Sequence, residues 1–276
     1  MAPSDADYEL IRKLVYDCSR INLGSDKKEL VAARLGKRLR SLNIADYREY
    51  CKLLKSPDGL EEVKNLIDVI STNHTYFFRE EKHFEFLEQT VIKEFLESKK
   101  RAGERCLRCW SAACSSGEEP YSIAMSLALQ SDVYQGFDWE LDSSDISRQI
   151  LERAQKGIYP EEHVSKLPQD IKRRFFQKGV GPYSGQYRIK EDIRKKIRWH
   201  NLNLFDSKWP FTDLFHVIFC RNVMIYFDRP SQEHLVNRLS KHLVPGGFLM
   251  IGHSESLSGV THNLKALHPA IYRRPA

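Results

Sequence analysis

The residues whose types and spacing suggest chemistry lie in a few short stretches. Residues 110–122 read W-S-A-A-C-S-S-G-E-E-P-Y-S. The small side chains between Ala112 and Gly117 let the backbone approach a ligand closely. Pro120 suits the first turn of a helix, where its missing N–H costs nothing. Glu118 and Glu119 then stand at the mouth of a strand–turn–helix unit, near the positive end of the helix dipole. Such a unit opens many nucleotide-binding α/β domains. The G-x-G-x-x-G fingerprint is absent, and two carboxylates would repel a pyrophosphate, so a dinucleotide is a poor fit. An acidic rim suits a nucleoside that also carries positive charge, and S-adenosylmethionine, with its ammonium and sulfonium, meets that description. Taken alone, the stretch is equally compatible with glutamates that only favour a helix N-terminus.

Other groups add to this. Asp145 ends a strand-like run, W-E-L-D-S-S-D, where an acid reaches both ribose hydroxyls of a bound nucleoside. The competing role, capping the next helix, is already offered by Ser147. Asn203-Leu204 and Arg221-Asn222 follow apolar runs at 197–200 and 215–220, which puts them at the same sheet edge. An amide beside an aliphatic side chain suits a purine's edge and face. In S-T-N-H-T-Y-F-F-R-E (71–80), Arg79 lies among three aromatics and is expected to be half-buried and paired with a carboxylate, of the protein or of a ligand. No His–Asp or Cys–His arrangement accompanies these groups, and His74 and His253 are expected to be structural. Cys106-x-x-Cys109 lacks a second ligand pair and is taken as part of a strand, so no metal is expected.

The elements that must position these groups follow from the apolar spacing. Residues 8–97 carry helical periodicity, with faces such as Leu10, Ile11, Leu14 and Val15, broken at 22–26, at Asn43 and at 56–59. One helix bears Arg34, Lys37, Arg38 and Arg40, and Glu29 is the only acid between Lys27 and Arg40. That face is either simply solvated or docks on an anionic surface. From Cys106 onward strands and helices alternate, as in a mostly parallel sheet, and a helix at 230–243 is expected to be closed by Pro245-Gly246-Gly247. A glycine-rich segment at 175–189 interrupts them as a hairpin or three-stranded flap, whose edge would accept an extended peptide. The chain has 276 residues, a net charge of +6 and no apolar run near the ~20 residues of a membrane span, so a cytoplasmic location without membrane insertion is expected.

Five motifs in this order resemble the CheR-type chemoreceptor glutamate O-methyltransferases. They are residues 71–80 and 110–122, the acid in S-S-D-I (143–146), F-C-R-N-V-M-I-Y-F (219–227) and G-H-S-E-S (252–256). The resemblance implies an α/β fold: a Rossmann-like S-adenosylmethionine methyltransferase domain (91–276) with a small β-subdomain insert (about 172–195). An all-α N-terminal domain (1–90) would precede it. The implied reaction is methylation of glutamate side chains on the cytoplasmic domain of methyl-accepting chemotaxis receptors, for sensory adaptation, by a monomeric enzyme. Cofactor contacts carried over by position are Asn73, Thr75, Arg79, Glu119 with its neighbour Glu118, Asp145, Asn203, Leu204, Arg221 and Asn222. Arg79 and Tyr226 would lie nearest the transferred methyl. Arg34, Lys37, Arg38 and Arg40, within a basic helix at about 27–42, resemble the receptor-docking surface, and the insert resembles one that in some members holds a receptor's C-terminal peptide. The alternatives are a methyltransferase of this fold acting on another substrate such as nucleic acid, or a non-catalytic scaffold. Against the first, the 34–40 run has no aromatic platform. Against the second, every expected polar position is filled.

Overall fold

Local capping starts the helical third. The computed structural model describes residues 2–57, 59–102 and 106–276; Asp58, in the break expected at 56–59, lies outside the described residues. Ser4 accepts the N–H of Asp7 to open α1 (Asp5–Ser19), and Asp46 accepts that of Glu49 to open α3 (Tyr47–Lys55), with α2 (Lys28–Ser41) between them. With α4 (Gly59–Ile70), these helices bury Ile11, Val15, Leu35, Tyr50, Leu54 and Leu66 in one core. Glu62 is buried in that core, accepting from Tyr50 Oη (2.7 Å) and Arg38 Nε (3.0 Å).

A second body starts soon after. α5 (Lys82–Phe86), one π turn (Leu87–Val91) and α6 (Ile92–Ala102) pack Phe84, Leu87, Ile92 and Phe95 against the sheet. The expected domain boundary at 90 is therefore misplaced. The helical core ends at Ile70, and Phe77 already belongs to the core of the sheet. Helical periodicity shows that a segment has an apolar face but not which body covers it.

The remaining elements are β1 (Cys106–Ala112), α7 (Glu118–Val133), β2 (Asp138–Asp145), α8 (Arg148–Lys156), β3 (Ile158–Pro160), α9 (Glu161–Val164), α10 (Gln169–Phe175), β4 (Phe176–Lys178), β5 (Gln186–Ile189), α11 (Glu191–Arg194), β6 (Ile197–Asn201), β7 (Phe215–Cys220), α12 (Arg229–Lys241), β8 (Leu243–Met250), β9 (Lys265–His268) and β10 (Ile271–Arg273). The main sheet runs β6-β2-β1-β7-β8-β10-β9. β6, β2, β1, β7 and β8 are parallel, and β10 and β9 are antiparallel. Alternation along β1 sends Leu107 and Cys109 into one layer and Trp110 and Ala112 into the other. Cys106 and Cys109, three apart on a strand, thus point to opposite faces, and both are free thiols.

Three details depart from the sequence reading. β8 starts at Leu243 and absorbs Pro245-Gly246-Gly247, which were expected to close the preceding helix. β9 and β10 add an antiparallel edge. The insert forms a three-stranded sheet, β3-β5-β4, but its first strand, β3, lies outside the expected 172–195. β3 has only three residues, too few to show a period of two.

Candidate active site

Register brings the functional ends of the strands to one level. Ala112 pairs with Ser144 on one side and Cys220 on the other, so Ala113, Asp145 and Arg221 leave the sheet together at its carboxyl edge. The turn after β1 is tightly wound, with positive φ at Ala113 (63°), Ser115 (51°) and Gly117 (98°). A Cβ on Gly117 would lie 2.8 Å from Tyr159 Oη and 2.9 Å from Ala154 Cβ, so only glycine fits there. Asp145 holds the turn. Its Oδ2 accepts the N–H of Ser115 (2.8 Å) and its Oδ1 that of Ser147 (2.9 Å), and Ser147 in turn caps α8. Burial pushes the Asp145 pKa up to about 6, although these backbone donors pull the other way.

A cleft enclosing about 1260 Å³, its open mouth included, runs over this edge and is walled by both bodies. Ile21, Leu23, Leu202, Leu204, Val223 and Phe227 supply apolar surface, while Asn73, Thr75, Asp145, Glu119 and Arg221 supply polar groups. Three hydrogen bonds hold the bodies together beside it: Asn22 N–H to Tyr226 O (2.8 Å), Tyr16 Oη to Asp228 Oδ2 (2.6 Å) and Asn203 Nδ2 to Cys18 O (2.5 Å).

The charged end of the cleft centres on Arg221, which is fully buried. Its guanidinium meets Glu119 Oε2 at 2.9 Å and Glu80 Oε2 at 3.0 Å, and it also donates to the carbonyl of Arg79. Glu119 Oε1 accepts from Ser111 Oγ (2.7 Å), and Glu80 Oε1 from Asn222 Nδ2 (3.3 Å). Burial alone would raise the Glu80 pKa, but the charge of Arg221 and these donors hold it below the ordinary glutamate value. Glu255 organises the neighbouring loop. Its carboxylate accepts the backbone N–H groups of Gly252 (2.6 Å), Met224 (2.8 Å), Asn222 (2.9 Å) and Ile225 (3.3 Å), keeping Asn222 in a left-handed conformation (φ 57°) just ahead of Tyr226.

Asn73, Thr75, Arg79, Glu119, Asp145, Asn203, Leu204, Arg221, Asn222 and Tyr226 all line this cleft. Glu118 does not. It is completely buried and turned toward the insert, accepting from Ser116 Oγ (2.6 Å) and lying 3.1 Å from His163 Nδ1. Adjacent residues in the first turn of a helix point about 100° apart, so one glutamate faces the cleft and its neighbour cannot. Arg79 also departs from expectation. Its guanidinium donates to the carbonyl of His74 (2.8 Å) and lies over the ring of Tyr76 rather than pairing with a carboxylate; the buried, carboxylate-bound arginine is Arg221. The Asn203 amide, expected to meet a purine edge, is engaged by Cys18 O and the N–H of Phe205 (3.0 Å).

The basic helix splits as well. Arg38 pairs with buried Glu62, and Arg34 lines the cleft while donating to Thr72 Oγ1 (2.9 Å) and the carbonyl of Ile70. Lys37 and Arg40 are exposed. Glu80 and Glu255 were not singled out from sequence. Their one sequence-level trace is that each lies inside a stretch noted for other reasons, F-F-R-E and G-H-S-E-S.

An acid at the end of β2, an apolar middle and a mixed-charge end with Glu119 and Arg221 fit the ribose, base and zwitterionic amino-acid end of S-adenosylmethionine. His74 also lines the cleft, but among the described lining residues no nucleophile is paired with a base, so the arrangement suits transfer to an acceptor that arrives already ionised.

Comparison with known proteins gives the same picture. The family model for the CheR methyltransferase SAM binding domain matches residues 73–272, and that for the CheR methyltransferase all-alpha domain matches residues 6–71. The two meet where the packing changes over, between Ile70 and Phe77. A chemotaxis protein methyltransferase of Borreliella burgdorferi is 39% identical over 263 residues, covering 95% of this chain and 92% of its own length. One from Escherichia coli is 38% identical over 272 residues, covering 99% and 92%.

Proposed function

Since the chain belongs to the CheR methyltransferase family, S-adenosylmethionine-dependent enzymes of chemotaxis, we propose that its acceptor is a glutamate side-chain carboxylate on the cytoplasmic domain of a chemoreceptor. The observation that carries this reading is a cleft with an acid at one end and a mixed-charge group at the other, in which, among the described lining residues, no nucleophile is paired with a base. A glutamate is ionised at neutral pH, so its oxygen can attack a methyl group without losing a proton first. The new O–CH₃ bond forms as the S–CH₃ bond breaks, and the products are a neutral ester and a thioether.

The bound cofactor would supply an electrophilic methyl group. Asp145 would receive the ribose hydroxyls on its remaining lone pairs. Glu119 and Arg221 would receive the ammonium and carboxylate, with Asn73, Thr75 and Asn222 completing the wall. Arg79 and Tyr226 would border the methyl, aligning the acceptor and keeping water out. A guanidinium paired tightly with the acceptor would make it a poorer nucleophile, which favours a positioning role for Arg79. Lys37 and Arg40 would meet the acidic receptor surface, and the tip of the insert, where Val180 and Tyr183 are exposed, would meet a receptor's C-terminal peptide. The nucleic-acid alternative has little support, because Arg34 and Arg38 are committed to partners within the chain.

Labelled S-adenosylmethionine incubated with the protein and receptor-bearing membranes tests this. The expected label is on the receptor and is released by mild base. Base-stable label, or none, excludes a glutamyl ester.

A further inference from the structure

Next to the cleft, but outside its lining, three metal-ligating side chains converge. The ligand atoms of Glu80, His83 and His253 lie within 4.8 Å of one another. His83 is completely buried, and among the described residues neither of its ring nitrogens has a hydrogen-bond partner. Leaving a buried polar group unpaired is costly, so an orphaned imidazole needs an explanation. Its Nδ1 stands 3.5 Å from Glu80 Oε2, and the exposed ring of His253 crosses it at a centroid distance of 4.7 Å.

We propose that Glu80, His83 and His253 form a site for a divalent transition cation of the zinc–nickel–copper class, and that its occupation disables the adjacent cleft. Two imidazoles and one carboxylate select this class over magnesium or calcium. Zinc holds such ligands at about 2.0–2.2 Å, so tetrahedral partners stand roughly 3.4 Å apart. Glu80 and His83 already meet that spacing. The remaining closure falls to His253, which is solvent-exposed and so placed where an ion can enter. The charge of Arg221 beside the cluster is shared by ion pairs with both Glu80 and Glu119.

The coupling to the cleft runs through Glu80, which also holds Arg221 and Asn222. A cation on its carboxylate competes with both and loosens two residues of the cleft wall. The inhibition rests on the methyl-transfer reading, whereas cation binding does not, so the two are tested separately.

Chelator-treated whole protein is titrated with Zn²⁺ by calorimetry, and with Co²⁺ by absorption. One equivalent of Zn²⁺ is expected. Co²⁺ should give visible d–d bands without the near-ultraviolet band of thiolate ligation. His253→Ala should weaken binding by at least the ~10–100-fold that loss of even an outer-shell partner costs. This substitution leaves the cleft untouched, so the variant should transfer methyl normally and resist Zn²⁺. Wild-type transfer should stop on Zn²⁺ addition and return with EDTA. The site is overturned by an absence of stoichiometric binding, by a thiolate band, or by His253→Ala binding as tightly as wild type. Binding with undiminished transfer overturns the coupling.

Discussion

Asp145 already receives a backbone N–H on each carboxylate oxygen, so any ribose hydroxyls must use its remaining lone pairs. Those hydroxyls are donors and favour the ionised form. Because the folded pKa is raised to about 6, S-adenosylmethionine affinity should fall as pH drops through about 6 and stay level above it. Isothermal titration across pH 5–8 measures this. Asp145→Asn should bind some ten- to a hundredfold more weakly, the ~1.5–3 kcal/mol of charge-assisted hydrogen bonds, and lose that pH dependence. The effect of the same group on apo stability runs the other way. A carboxylate with a raised folded pKa contributes its full stability below the ordinary aspartate pKa, and that contribution is lost as pH rises through about 6. Near neutrality the buried charge is thus a cost of the empty site. The position of Asp145 was legible beforehand, since an acid at the end of a strand two residues before a Ser cap is a local pattern. Glu80 was not legible. Its partners Arg221 and Asn222 are 141 and 142 residues away, and only sheet register brings them together.

At the scale of elements, the strand–turn–helix at 106–133 was legible because its period changes from two to helical across a run of small residues. What periodicity could not show was the rotation of α7, which sends Glu119 into the cleft and Glu118 toward His163. Gly117 fixes that rotation. Gly117→Ala must either keep a left-handed alanine, at about 1–2 kcal/mol, or push Tyr159 and Ala154 away. Denaturant unfolding should show a loss of about 2 kcal/mol or more, and cofactor affinity should fall with it as Ser115 and Glu119 shift. Wild-type stability and affinity in this variant would mean that the turn tolerates another path. The basic helix is another case in which side-chain direction decided the outcome. Sequence shows purity of sign along 34–40, but Arg38 has a buried partner on α4, and Glu62 looks like any surface glutamate until α2, α3 and α4 are packed.

For the whole molecule, the exposed pair Lys37 and Arg40 would speed encounter with an acidic receptor surface through its field as well as by contact. Reversing both to glutamate should slow receptor methylation about tenfold at low ionic strength, with unchanged S-adenosylmethionine binding. The difference should shrink as salt shortens the Debye length below ~10 Å. Initial rates over a salt series measure it; a salt-independent defect would point to lost folding instead. The placement of the cleft between two bodies was anticipated from sequence, since segments 71–80 and 110–122 had to face the same ligand. The boundary was misplaced because α5 and α6 carry the period of the bundle yet pack on the sheet.

The pairing of β1 with β7 joins Cys109 to Val217 across the middle of the sheet, whereas the buried residues of the helical core all fall between Tyr8 and Ile70. Time then separates the two bodies. Closing so long a loop is slow, and helices built from near neighbours along the chain form quickly. After dilution from denaturant, far-ultraviolet circular dichroism should recover in an early phase dominated by the bundle, and cofactor binding should appear only in a later one. On a ribosome the bundle would emerge and fold while β7 was still unmade, so one wall of the cleft would stand ready before the strand that completes the other had been synthesised.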